Sequence, residues 1–273
     1  MTQQLELAGK AAIVTGAGRL RGIGRETALV LARMGADVAI TGTGRDPKTF
    51  PEDEKKTDWH DIESVAGEVR KLGRRALPMV VDVSAAAQAE EMVDRTVREF
   101  GRLDILVNNA AAPYGKDRVP VLEVDEQVFR RVIDVKLIGT FLCSRAAARQ
   151  MVKQGQGGRI VNLSSTAGKR GSARTAAYNA SNFAVDGFSQ ALAKELAPNG
   201  ITVNCVCPGL IETARMDPLG RAEAWKTRVE QVPVGRVGED WEVAELIGYL
   251  CSPRAAYITG QAININGGAL TER

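Results

Sequence analysis

Short runs of β-branched and other apolar residues alternate along the chain with longer stretches in which apolar residues recur at helical spacing. The runs at 11–16 (AAIVTG), 37–42 (DVAITG), 76–83 (ALPMVVDV), 103–109 (LDILVNN), 158–165 (GRIVNLSS), 200–209 (GITVNCVCPG) and 261–268 (QAININGG) predict strands. Segments 24–35, 59–72, 85–100, about 123–153, 176–197 and 239–251 predict helices. The strand runs are nearly continuous rather than alternating, as in a parallel sheet covered on both faces. Strand–helix alternation of this kind implies an α/β, doubly wound fold. Residues 1–273 show no internal repeat and no linker long enough to divide them, so a single domain is expected. The least regular segments, 43–58 and 210–238, both follow strands. They belong at the C-terminal edge of the sheet, where ligands bind in such folds.

Composition narrows the function classes. With 273 residues, 44% hydrophobic and 25% charged, the chain can bury a core without staples. A net charge of +3 from 36 basic and 33 acidic residues is too mild and too mixed to mark a nucleic-acid or membrane partner. Cys143, Cys205, Cys207 and Cys251 all lie in apolar runs and read as buried free thiols in a reducing compartment. His60 is the only histidine and sits in a polar stretch, so no metal site is expected. The N-terminal stretch has no basic segment leading into an apolar one, and no apolar run reaches the ~18 residues of a membrane span. A cytoplasmic location is the expectation.

Chemistry begins at TGAGRLRGIGRE, between the first strand and the first helix. Gly16, Gly18, Gly22 and Gly24 fall in this one turn, around Ile23. Glycines there let the backbone approach a pyrophosphate, and the helix N-terminus offers N–H groups and a positive dipole. A carboxylate at the end of the second strand would bind ribose hydroxyls, as in NAD sites. Gly42 stands there instead, while Arg21 and Arg45 flank the region. Two cations without a carboxylate favour a 2′-phosphate and hence NADP. Asp46 keeps NAD as the alternative.

Tyr178 and Asn182, in YNASN, are one helical turn apart and share a face. A phenol titrates near 10 and needs a nearby cation to act as an acid–base group at neutral pH. No lysine follows one turn on.

In their order and spacing, TG…GIG at 15–24, DV at 82–83, NNA at 108–110, IVNLSS at 160–165, Tyr178 and PGLIET at 208–213 resemble the short-chain dehydrogenase/reductase family over roughly residues 7–268. The resemblance implies a single Rossmann-type domain with a seven-stranded parallel sheet and helices on both faces. It further implies assembly as a homotetramer or homodimer, with a heteromer as the alternative. The implied activity is hydride transfer between nicotinamide and the carbonyl or alcohol carbon of a small-molecule substrate. Carried over, Tyr178 is the acid–base group and Ser165 binds the carbonyl oxygen. Ser164 should point to the other side of the strand. Asp82 and Val83 would contact adenine, Asn109 and Ala110 the ribose, and Pro208, Gly209, Ile211 and Thr213 the nicotinamide end.

Three departures stand out. The glycine turn carries two extra residues, which places Arg19 or Arg21 within reach of the phosphates. Ala111 replaces the glycine that usually follows NNA. Most consequentially, the family's Tyr-x-x-x-Lys reads Tyr178-Asn-Ala-Ser-Asn182, and its central-helix Asn is Lys136 in DVKLIG. The lysine and the asparagine have changed places. The apolar neighbours of Lys136 argue against a solvated position. A cation ~5 Å from a phenol, at an effective dielectric near 20, favours the phenolate by about 3 kcal/mol. A displaced ammonium could therefore still assist Tyr178, with Asn182 left to contact ribose. Two readings compete with a working enzyme: a catalytically weak or silent subunit with a binding or structural role, and non-redox chemistry on a carbonyl compound. Substrate contacts are expected from 111–120, 168–177 and 212–232, with Tyr114, Arg174, Arg215, Met216 and Trp225 as candidates. Arg174 and Arg215 point to an anionic substrate group.

Overall fold

The structure, a computed structural model, describes residues 5–220 and 222–272. The first four residues of the stretch read as lacking a leader fall outside that range.

Seven strands form one parallel sheet: β1 (Ala11–Val14), β2 (Asp37–Gly42), β3 (Ala76–Val80), β4 (Ile105–Asn108), β5 (Gly158–Leu163), β6 (Ile201–Pro208) and β9 (Ala262–Ile265). Their order is β3-β2-β1-β4-β5-β6-β9. β7 (Ile211–Glu212) and β8 (Gly238–Glu239) pair separately, Ile211 opposite Gly238. Along β1, Ala12 and Val14 face one core while Ala11 and Ile13 face the other. The continuous apolar runs in the sequence reflect this double burial.

On one face lie α1 (Ile23–Arg33), α3 (Ile62–Lys71) and α9 (Asp240–Cys251); on the other lie α4 (Ala86–Phe100), α5 (Glu126–Ile133), α6 (Gly139–Gln154) and α7 (Ala176–Leu196). Local signals set their ends. The Asp125 carboxylate accepts from Gln127 N and Val128 N at the start of α5, and Glu239 and Glu242 form a capping box on α9. Strand order reverses between β1 and β4, which opens a crevice at the C-terminal edge of the sheet.

Two segments differ from expectation. The helix expected over about 123–153 is interrupted by a π-helical turn at Asp134–Ile138. Gly139 packs there so closely on the segment after β3 that a Cβ would lie 2.7 Å from Val83 Cγ2. Such a bulge shifts the helical register locally and is frequent at functional positions; this one carries Lys136. The irregular 43–58 segment contains a short helix, α2 (Glu52–Lys56), and the 210–238 segment contains α8 (Glu223–Glu230). All four cysteines are free and buried, and burial pushes the Cys143, Cys207 and Cys251 thiols up to about 12.

Candidate active site

The glycine turn borders a cleft of about 570 Å³ at the crevice, lined by Gly16, Gly18, Arg19, Arg21, Gly22, Ile23, Gly24, Arg45, Asp82, Val83, Asn109, Ala110 and Thr213 among others. Backbone proximity explains the glycines. Gly16 has φ +66°, and a Cβ on it would lie 2.7 Å from Ala110 Cα. A Cβ on Gly24 would meet Asn109 Nδ2 at 2.5 Å. That amide donates to Thr15 O at 2.9 Å and Gly16 O at 2.8 Å, so Asn109 shapes the turn as well as lining the cleft. The Gly22 backbone at the N-cap of α1 hydrogen-bonds the Asp240 carboxylate, while Ile23 and Gly24 in the first turn line the cleft, where a helix N-terminus favours an anion. Glycine cradle, helix N-terminus and crevice together fit a dinucleotide.

The two extra residues of the turn are held by the segment after β2. Trp59 Nε1 donates to Gly18 O at 2.7 Å, and Leu20 N donates to Glu54 Oε1 at 3.0 Å. This contact revises the expectation for the cations. Arg21 pairs with Asp53 at 2.6 Å and Asp217 at 2.6 Å. Arg45 pairs with Glu54 at 2.8 Å and Asp61 at 2.8 Å and stacks on Phe50. Both guanidinium groups are already neutralised, so the charge argument for a 2′-phosphate does not hold. Arg19 is different. Among the described residues it has no ion-pair or hydrogen-bond partner, and burial next to Arg45 lowers its pKa. Of the two arginines expected near phosphate, Arg19 is the one left to reach it.

Asp82 lines the same cleft, its carboxylate accepting from Ser84 N at 3.0 Å and Ser84 Oγ at 2.6 Å. Pro208 and Ile211 are buried, and neither they nor Gly209 line the cleft; Thr213 does.

Beyond the cleft lies a small cavity bordered by Asp117, Lys136, Tyr178 and Arg215, sharing Ala111, Ala112, Pro113 and Arg215 with the cleft. Tyr178 sits in the first turn of α7, half-buried. Ser165 follows β5 and its Oγ accepts from Ala167 N at 3.1 Å, while Ser164 Oγ turns to Asn182 O at 3.4 Å. The two serines diverge as the strand pleat requires.

Lys136 and Asn182 are both buried. Lys136 is 4% exposed, which rules out the solvated position, and its Nζ donates to Leu163 O. Burial, with Arg215 adding repulsion, pushes the ammonium down to about 8. Among the described residues no hydrogen bond joins it to the Tyr178 hydroxyl. Asn182 is fully buried; its Nδ2 donates to Tyr178 O at 2.8 Å, and among the described residues its Oδ1 has no partner. It braces the helix that carries Tyr178 and does not line the cleft, so the expected ribose contact is not part of this arrangement. Asp186, one further turn along α7, is also buried, and burial raises its pKa.

Two guanidinium groups flank Tyr178: Arg215, expected from the sequence as a substrate contact, and Arg118, which was not. The Arg118 guanidinium lies 4.0 Å from the Tyr178 ring centroid and that of Arg215 lies 5.6 Å away. Arg118 pairs with buried Asp117 at 3.2 Å. Arg215 donates to Ala112 O and, among the described residues, makes no ion pair. Arg118 stood within the segment expected to touch substrate, but no spacing marked it. Arg174 is exposed with φ +64°, and Trp225 is buried as a core residue.

Residues 16–270 match the family described as enoyl-(acyl carrier protein) reductase. The chain is 38% identical to the 3-oxoacyl-(acyl-carrier-protein) reductase FabG of Staphylococcus aureus, over 95% of this chain and 97% of that one. It is also 38% identical to a cyclohexanol dehydrogenase of a Rhodococcus species, over 98% of each. Among solved structures, a putative short-chain alcohol dehydrogenase from Sinorhizobium meliloti superposes with a TM-score of 0.85 at 34% identity, covering 98% of both chains. Among the described residues no helix is long and apolar enough to cross a membrane, and no group of His, Cys, Asp and Glu could hold a metal ion.

Proposed function

The chain belongs to the short-chain dehydrogenase/reductase family, and from that premise we propose that Tyr178 is its acid–base group, served by Lys136 from the neighbouring π turn. The protein is an NAD(P)-dependent oxidoreductase that interconverts a carbonyl compound and a secondary alcohol. A silent subunit is not favoured, given relatives with named reductase and dehydrogenase activities.

The glycine turn and Arg19 would hold the phosphates of a dinucleotide in the cleft, and that cofactor would supply or accept the hydride. Ser165 Oγ donates to the carbonyl oxygen, and Tyr178 Oη supplies the proton that oxygen needs on reduction. Supporting the rearranged relay is one observation above the rest: Lys136 is buried and borders the same small cavity as Tyr178. An ammonium pushed down to about 8 is well matched to proton exchange near neutral pH. Asn182 fixes the helix position of Tyr178 through its bond to Tyr178 O. The experiment is turnover of a panel of ketones with NADH and with NADPH; oxidation of neither cofactor across the panel would refute the assignment.

Arg215 makes the substrate side of Tyr178 cationic, since Arg118 beside it is already paired with Asp117. An unpaired guanidinium held away from water favours an anionic group, so the supported substrates are carbonyl compounds carrying a carboxylate or similar anion. Replacing Arg215 with Gln is expected to raise KM for a ketoacid by about 10-fold or more. Its methyl ester should be turned over as before. Equal effects on acid and ester would refute the anion subsite.

We further place the protein in the cytoplasm as one domain that self-associates as a dimer or tetramer. An apolar groove of about 640 Å³ runs along α6 and α7 past Phe141, Val152, Phe188 and Leu192, and contiguous exposed apolar surface of this kind marks an interaction face. A monomer by light scattering would contradict this.

A further inference from the structure

We propose that Asp61 accepts the adenosine ribose hydroxyls, and that the protein therefore takes NAD(H) in preference to NADP(H). The inference rests on the dinucleotide reading of the cleft and adds a residue that the sequence placed nowhere near it.

Position 42, at the end of β2, lacks the carboxylate that would select NAD. The loop before α3 supplies one. A Cβ built on Gly42 would meet Ile62 Cγ2 at 2.9 Å and sit 3.5 Å from Asp61 Oδ2. The carboxylate thus occupies the neighbourhood that a side chain from position 42 would reach. On the other side, a Cβ at Gly18 would lie 1.9 Å from Asp61 Oδ1. The second glycine of the enlarged turn is therefore required by this carboxylate. Asp61 stands between the glycine turn and β2 and lines the cleft, in the region where ribose hydroxyls are bound in such folds.

The carboxylate is held but not saturated. Oδ1 accepts from Arg45 Nε at 3.1 Å and Arg45 Nη2 at 2.8 Å, whereas among the described residues Oδ2 accepts only a long bond, 3.4 Å, from Arg45 N. A carboxylate oxygen has two lone pairs, so Oδ2 can take a hydroxyl. The backbone also carries strain here. Asp61 has φ +53° and ψ −129°, a conformation that non-glycine residues adopt rarely and that persists where surrounding structure enforces it.

Charge then decides between the cofactors. Arg21 and Arg45 are committed to Asp53, Asp217, Glu54 and Asp61. A 2′-phosphate would bring its charge against Asp61, with buried Glu54 behind it. Arg19, which among the described residues has no ion-pair partner, lies in the field of Arg45, Glu54 and Asp61, and is assigned to the pyrophosphate shared by both cofactors.

Fluorescence titration of the full-length protein with NADH and with NADPH tests this. The wild type should bind NADH about 10-fold or more tightly than NADPH. Asp61→Asn should erase most of that ratio by weakening NADH alone. Arg19→Ala should weaken both cofactors alike. NADPH bound as tightly as NADH by the wild type would overturn the inference and leave the cleft reading standing. Equal weakening of both cofactors in Asp61→Asn, together with earlier melting, would overturn it too, by making Asp61 a loop clamp. A loss confined to NADPH in Arg19→Ala would do the same, by making Arg19 a 2′-phosphate ligand. Binding of neither cofactor by the wild type would refute the cleft reading itself.

Discussion

Tyr178→Phe is expected to lower kcat by about 10²- to 10⁴-fold, the range for loss of a positioned proton donor, with little change in dinucleotide affinity. The substitution removes one hydroxyl and keeps the ring against Arg118 and Arg215, so packing and the cationic face are preserved. Tyr178 also lies outside the cleft lining, so cofactor binding has no direct contact to lose. Steady-state kinetics with a parallel fluorescence titration separates these quantities. Retention of most of the activity would remove Tyr178 from the chemistry. Loss of binding and turnover together would mean that the side chain holds the cleft open rather than transferring a proton.

Lys136→Met should abolish most hydride transfer and, at neutral pH, make the protein more stable. The two effects have one cause. Burial and Arg215 push the ammonium down to about 8 from an ordinary value near 10.5. Between those values the unfolded chain binds more protons than the folded one, so stability rises with pH across that window. Below about 8 both states are protonated and the penalty is fully present, amounting to about 3 kcal/mol. Met fills a similar volume without charge and removes it. The Tm of the variant should exceed that of the wild type at pH 7, and the gap should close as pH approaches the unfolded value. In the wild type, carbonyl reduction should slow as pH rises through about 8 and Lys136 loses its proton. A Met variant that keeps its activity would sink the rearranged relay, and one that is less stable at pH 7 would show that the ammonium is better compensated than its single carbonyl contact implies.

Most of the sheet was legible because both its faces are covered, which writes each strand as an unbroken apolar run. The burial of Lys136 was legible for the same reason: DVKLIG offers it no polar neighbourhood. What escaped was decided by partners far along the chain. Arg21 meets Asp217, 196 residues away, and Arg45 meets Glu54 and Asp61. No local pattern reveals that such cations are already neutralised. Asp61 was invisible for a related reason, since it reaches the end of β2 from a different element. The π turn was hidden because its sequence keeps helical spacing, and the close packing of Gly139 on Val83 that accompanies it is a contact between distant parts of the chain. Arg118 carries no motif, and only the folded 111–120 segment brings it over Tyr178.

Hydride transfer itself is the central claim, and isotope tracing reads it directly. The protein is incubated with NADH deuterated at C4 and a ketone it turns over, and the alcohol is analysed by mass spectrometry. The expected result is one deuterium on the carbinol carbon with the wild type, and a greatly slowed appearance of that product with Tyr178→Phe. Alcohol formed without deuterium from either face of the cofactor, or formed equally fast without Tyr178, would contradict the account.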